Sequence, residues 1–166
     1  MGVQGRGTKP GGDFHYQHGP ITRVAGFYMA PRLFDMAGVT HEDIDVTGCY
    51  DAFTYTTLLQ FEDYGFCKKG EGKDYVSSGI INLGGKRPNN TSGGHLCEAY
   101  THGMNMVIEN VRQLRGTVDD YCPQSHEGIH TYDYSEGHCR QVKNAEISMN
   151  MGWSTPAYGS ALILRR

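Results

Sequence analysis

Residues 145–164, AEISMNMGWSTPAYGSALIL, decide the reading of the fold. Ala145, Ile147, Met149 and Met151 alternate with Glu146, Ser148 and Asn150, the period-two pattern of a strand with one apolar face. An apolar run, Gly159–Leu164, follows the stretch GWSTPAY, so two strands are expected to flank a loop and to pair antiparallel.

Upstream of this pair, Met104, Val107, Ile108, Val111 and Leu114 recur with helical spacing between Tyr100 and Gly116, predicting an amphipathic helix that buries this stripe and stops at the glycine. A short helix over Met29–Met36 is expected to start near Pro31, to bury Ala30, Leu33, Phe34 and Ala37, and to close at Gly38. Ile44–Cys49 reads as a short strand. Asp51 is placed to cap a helix over Ala52–Tyr64 that Gly65 ends, and the cap is favoured over a role as an acid. Helix, strand, helix, loop, helix, strand, strand makes an α/β architecture, a mixed sheet layered with helices. No internal repeat is visible.

Glycine-rich residues 1–20 lack periodicity, and residues 1–24 are taken as an irregular lead-in to a domain spanning 25–166. From Cys67 to Gly94 the chain is too broken by glycine for a long element and reads as a loop with short strand pieces, a length that in a compact domain is usually functional or disordered. The acidic stretch Asp119–His138 is also irregular.

A chain of 166 residues with 38% hydrophobic residues and net charge −3 is long enough for a real core. Only 15 lysines and arginines, without a basic cluster, argue against nucleic acid as a partner. No apolar run approaches the roughly 20 residues of a membrane helix and no leader pattern opens the chain, so the default compartment is the cytoplasm with no membrane partner. The five cysteines, an odd number without CxxC spacing, are expected to be reduced thiols. Cys122, His126, His130, His138 and Cys139 have the residue types of a zinc site but not its paired ligand spacing, so no metal is assigned. Gly84-Gly85 and Gly93-Gly94 match no phosphate-binding pattern and fit tight turns.

Three glycine-framed segments each carry a tyrosine: Cys49-Tyr50-Asp51-Ala52-Phe53, the stretch Asn90–Gly103 that contains Tyr100, and Gly152–Ser160 with Tyr158. Together with AGVTHEDID, GEG, NTSGG and QLRG, in this order, they resemble the second half of the thiolase superfamily, and most closely the sterol-carrier-protein thiolases and bacterial lipid-transfer-protein homologues. The resemblance runs from about Ala25 to Arg166. It implies a thiolase-like C-terminal half, acyl-CoA as substrate, with coenzyme A present as part of that substrate and no cofactor bound by the chain itself. It also implies a homodimer formed through an N-terminal half, and a zinc-ribbon/OB-fold partner protein. Both a fragment and a natural subunit fit that coverage.

Departures from the family pattern point to the chemistry. Tyr50 stands where the first loop of a thiolase has asparagine, Tyr100 where the second loop has its histidine, and the third loop has Tyr158 and no cysteine. This argues against Claisen thiolysis and resembles the thiolase-like aldolases that split a β-hydroxyacyl-CoA of a steroid side chain into a ketone and a shorter acyl-CoA, here propionyl-CoA. A retro-aldol needs a base for the β-hydroxyl, donors for the thioester oxygen and an acid for the α-carbon, and neither nucleophile nor metal. Tyrosine, with a reference pKa near 10, serves directly as acid, and as base only where neighbours stabilise the phenolate.

Tyr100, Tyr158 and Tyr50 are therefore the candidate catalytic residues, with acid and base unassigned. His102, Asn90, Gly94 and Gly159 are candidates for holding substrate. Against these stand plainer readings: a packed tyrosine at each position, a structural role for His95 and His102, and a buried small residue at Cys97. A non-catalytic scaffold that binds acyl-CoA or a partner is the alternative function, ahead of a true thiolase. Convergence of the three phenols on one pocket would separate the enzyme from the scaffold.

Overall fold

The computed structural model describes residues 2–6, 22–98, 101–118, 140–155 and 158–166. The first helix, α1, spans Gly26–Ala37 and ends in a left-handed Gly38 (φ 64°), whose N–H donates to Asp35 O while Val39 N–H donates to Phe34 O. This is the glycine stop expected from sequence. The helix nevertheless begins one turn earlier than expected, so Pro31 lies in its second turn rather than its first. Ala30, Leu33 and Phe34 are buried, as the pattern required, with Ala37 only partly buried at their edge and Met29 buried beside them.

Strand β2 spans Val46–Cys49 and is buried throughout. It leads into α2, Thr54–Asp63. Asp51 does not cap this helix. The N-cap position is Phe53, whose carbonyl accepts the Thr56 hydroxyl at 2.7 Å. A short helix α3, Gly72–Ser77, occupies part of the stretch expected to hold strand pieces, and the one bridge there pairs Asn89 with Thr47. Helix α4 follows at Met104–Arg115, closed by left-handed Gly116.

The last two strands, β3 (Ile147–Thr155) and β4 (Tyr158–Arg165), pair antiparallel. The loop expected between them shrinks, because pairing extends to Thr155 and Tyr158, with a register irregularity between Trp153 and Thr155. Within the expected irregular lead-in, Gly2–Arg6 forms β1, antiparallel to β4. β2 joins β3 in parallel, so the sheet is mixed, in the order β1-β4-β3-β2.

Both faces of this sheet are covered. On one face Met149, Met151, Ala161 and Ile163 pack with the buried residues of α1 and with Phe61 and Tyr64. On the other, Val46 and Leu164 meet Leu114 of α4 and Ala145. The strand period of two assigns even-numbered residues of β2, β3 and β4 to the α4 face.

Helix α4 exists where expected but shows a different face to the sheet. Met106, Glu109, Asn110, Gln113 and Leu114 are buried, while Met104 and Ile108 are exposed at 56% and 45%. Polar residues replace the apolar stripe inside because they satisfy one another. The Glu109 carboxylate accepts from Thr91 Oγ1 (2.8 Å), Gln113 Nε2 (3.1 Å) and Arg140 Nε (2.8 Å). Among the described residues no helix is long and apolar enough to cross a membrane.

Candidate functional site

The α4 face of the sheet opens into a cavity of about 910 Å³. Its wall includes Gly48, Asn150, Gly152, Tyr158 and Ser160, all on the even-numbered side of their strands, Tyr50 directly after β2, and His102, Met104, Met106 and Val107 from the α4 region. Tyr50 and Tyr158 thus reach one cavity from opposite edges of β3. Gly159 also lines it through its backbone, while the position of its missing Cβ would lie 3.0 Å from Ala25 Cβ and 3.1 Å from Met29 Cε, on the α1 side. His102 is exposed at the rim, with φ 52° at the turn into α4. Tyr100 lies outside the described residues. Its neighbours Glu98 and Thr101 both bond to Asn105, at 2.5 Å and 3.0 Å.

Asn90 and Gly94 are not among the lining residues; both stand behind Tyr50. Asn90, left-handed at φ 48°, accepts Cys49 N–H at 2.7 Å and donates to Cys49 O at 2.9 Å. Gly94, at φ 66°, passes so close to Asp51 Oδ2 that a Cβ there would overlap it. Asp51 Oδ1 accepts His95 N–H at 2.8 Å, and the His95 ring packs on Tyr50 with centroids 4.3 Å apart. Tyr50 is further fixed through its backbone: its N–H donates to Met151 O (2.8 Å) and its carbonyl accepts Gln60 Nε2 (2.8 Å). Tyr50 itself is 8% exposed, so its ring is held rather than free to swing.

The residues that sequence reasoning missed are Asp51 as a tie between loops, Gly48, and Asn150. The alternation along β3 marked Asn150 as polar, but only the second covered face of the sheet shows that it is buried. Cys97, expected to be a buried small residue, is exposed, while Cys49 is buried and its thiol is pushed well up by that burial. No cysteine lines the cavity among the described residues, and none of their His, Cys, Asp and Glu side chains form a group able to hold a metal. The cysteine and histidine set from Cys122 to Cys139 lies outside the described residues.

The arrangement offers two phenols, a histidine and an asparagine around a partly open, mixed polar and apolar space. Such a set can donate, accept and exchange protons with a bound acyl group.

A 17-hydroxy-3-oxo-4-pregnene-20-carboxyl-CoA lyase of Mycobacterium tuberculosis is 52% identical over 86 residues, 52% of this chain and 22% of the relative. A steroid side-chain-cleaving aldolase of Thermomonospora curvata is 46% identical over 86 residues, again 52% of this chain and 22% of the relative. The chain therefore spans about a fifth of the length of these curated relatives. A solved Ltp2-ChsH2(DUF35) aldolase superposes with a TM-score of 0.78 at 30% identity, covering 98% of this chain and 38% of that one. Residues 15–131 match the family model for the thiolase C-terminal domain-like fold, and the chain belongs to that family.

Proposed function

We propose that the protein carrying this domain is a retro-aldolase that cleaves a β-hydroxyacyl-CoA of a steroid side chain to a ketone and propionyl-CoA. The observation that carries this reading is the placement of Tyr50 and Tyr158 on one cavity wall, with no described cysteine beside them. Relatives named as a CoA-thioester lyase and a steroid side-chain-cleaving aldolase support it. Tyr100, Tyr158 and Tyr50 carry the proton transfers. His102 and Gly159 contact substrate, and Asn90 and Gly94 serve it by holding the Tyr50 loop.

The reaction breaks the bond between the α- and β-carbons. The β-hydroxyl gives its proton to a base and becomes the ketone carbonyl, and the bonding electron pair moves onto the thioester as an enolate. Protonation of the α-carbon by an acid completes the shorter acyl-CoA. Preorganised hydrogen-bond donors at the thioester oxygen lower the barrier to forming that enolate. The proposed assembly contains a zinc-ribbon/OB-fold partner protein and a homodimer, in the cytoplasm. The name of the Ltp2-ChsH2(DUF35) aldolase supports a partner of this kind.

The test is product release from a steroid β-hydroxyacyl-CoA by the full-length protein with its partner, comparing wild type, Tyr100→Phe and Tyr158→Phe. Release of ketone and propionyl-CoA, with each variant slowed at least about 10²-fold, is the expected result for loss of an acid/base group. An inactive wild type, or variants that match it, would replace this reading with a non-catalytic acyl-CoA or partner-binding scaffold.

A further inference from the structure

Asn150 lines the cavity from β3, between Gly48 of β2 and Leu162 of β4. It is 6% exposed, and its Nδ2 has no hydrogen-bond partner among the described residues. A buried amide N–H without an acceptor is costly, on the order of 1–3 kcal/mol, so a native chain that keeps one at a cavity wall calls for an explanation. Gln60 Oε1 and Ser148 Oγ also lack a partner among the described residues, but neither residue lines the cavity.

The orientation of the Asn150 amide follows from its neighbour. Asn110 Nδ2 donates to Met149 O at 3.2 Å and to Asn150 Oδ1 at 3.1 Å. Because the Met149 carbonyl can only accept, the Asn110 atom facing it is the nitrogen, and the Asn150 atom that this nitrogen also meets is the oxygen. Asn150 is thereby set with its donor end toward Gly48, buried and unpartnered among the described residues. Gly48 makes room for that end: a Cβ on Gly48 would lie 2.5 Å from Asn150 Nδ2. Two residues further along β3, about 6.7 Å, Gly152 also lines the cavity, and the place of its missing Cβ is taken by the Ser160 hydroxyl.

From this geometry we infer that Asn150 Nδ2 is a substrate-binding donor for the thioester carbonyl oxygen of the acyl group, held in a fixed direction by Asn110. The inference rests on the acyl-CoA reading above and adds the residue that meets the thioester. A neutral, oriented N–H in a covered site suits an oxygen that gains negative charge as an enolate forms.

The test uses the full-length protein and two ligands that need no turnover: propionyl-CoA and its S-propyl thioether, which lacks the carbonyl oxygen. Titration calorimetry is expected to show wild type favouring the thioester by about ten-fold, the scale of one hydrogen bond. Asn150→Asp, which keeps the acceptor toward Asn110 and replaces the donor, erases the preference, as does Gly48→Ala, which displaces Nδ2. Asn150→Ser serves if either fails to fold. Equal binding of both ligands by wild type, or a folded variant that keeps the preference, overturns the assignment. Turnover separates this from the parent reading. If wild type releases ketone, Asn150→Asp lowers kcat about 10²-fold with a smaller change in KM, as expected for a donor that strengthens in the transition state. If wild type discriminates between the ligands but releases no ketone, the donor stands and the aldolase reading falls.

Discussion

Asp51 Oδ1 accepts the backbone N–H of His95 at 2.8 Å across 44 residues of sequence, and this bond fastens the loop that carries Tyr50 to the loop that leads toward Tyr100. Asp51 is 6% exposed, so no water can take over the bond at full strength. Asp51→Ala is expected to destabilise the protein by about 1–3 kcal/mol, the cost of a buried donor left unpaired. Asp51→Asn retains an acceptor oxygen and should lose less than half as much. Urea unfolding of the two variants checks the ranking. Equal losses would mean that carboxylate charge, not the bond to His95, sets the stability.

Gly94 makes the same joint sterically. It holds φ 66°, and a Cβ on it would lie 2.6 Å from Asn90 Nδ2 and closer still to Asp51 Oδ2. Gly94→Ala combines left-handed strain with overlap against two side chains that are themselves bonded, so the loss is expected to exceed about 2 kcal/mol. At Gly116, also left-handed at φ 69° but with nothing within 4 Å of its missing Cβ, alanine should cost only about 1 kcal/mol. Thermal unfolding of the pair separates overlap from backbone strain. A Gly94→Ala midpoint equal to that of Gly116→Ala would show that the joint relaxes.

Acid should attack the interior of α4 before the apolar core. Burial alone would raise the Glu109 carboxyl, but hydrogen bonds and charge from Arg140, with Thr91 and Gln113, outweigh it and hold the group below the usual carboxylate range. A folded-state pKa below the unfolded one gives stability that is present above the unfolded value, near 4.5, and lost as pH falls through the folded value. Unfolding midpoints measured between pH 7 and pH 3 should therefore drop less steeply in Glu109→Gln than in wild type. At pH 7 the variant should be destabilised by about 3 kcal/mol, because the Arg140 guanidinium loses the buried carboxylate it bonds at 2.8 Å. Parallel pH profiles would remove Glu109 from the account.

That same helix shows how far sequence could be read. Spacing predicted a helix ending at Gly116, and it is there, because periodicity and the glycine stop are local. The buried face could not be read, since Glu109, Asn110 and Gln113 are inside only by virtue of partners at Thr91, Arg140 and Asn150, 18 to 40 residues away. β1 escaped for a similar reason: GVQGR has no alternation, and its strand state comes from pairing with β4 at the far end of the chain. At the site, Tyr50 and Tyr158 could be named from their loops. Asn150 could not, because an alternating polar residue reads as solvent-facing until the helix covering it is known. Asp51 was identified as important but given the wrong partner: a local cap competes poorly with a backbone N–H that a distant turn delivers already oriented.

Thiol reactivity should report the order in which the site's supports open. Cys97 is exposed, Cys67 is part-buried, and Cys49 lies inside the core at the end of β2. Burial first, then the Glu62 and Glu71 carboxylates, push the Cys67 thiol up to about 11, so its thiolate fraction at pH 8 is about 0.1%. Burial raises Cys49 further, with the Asp51 charge adding to the effect. Of these three, iodoacetamide at pH 8, followed by peptide mapping, should therefore label Cys97 first, Cys67 far more slowly and Cys49 only through opening of the fold. Asp51→Ala should accelerate Cys49 selectively, because it releases the loop that follows that residue. If Cys49 instead reacts as fast as Cys97 in wild type, the loop carrying Tyr50 opens on the timescale of alkylation. The bonds that pin it to Met151, Gln60 and Asn90 would then be too weak to hold a catalytic phenol in place.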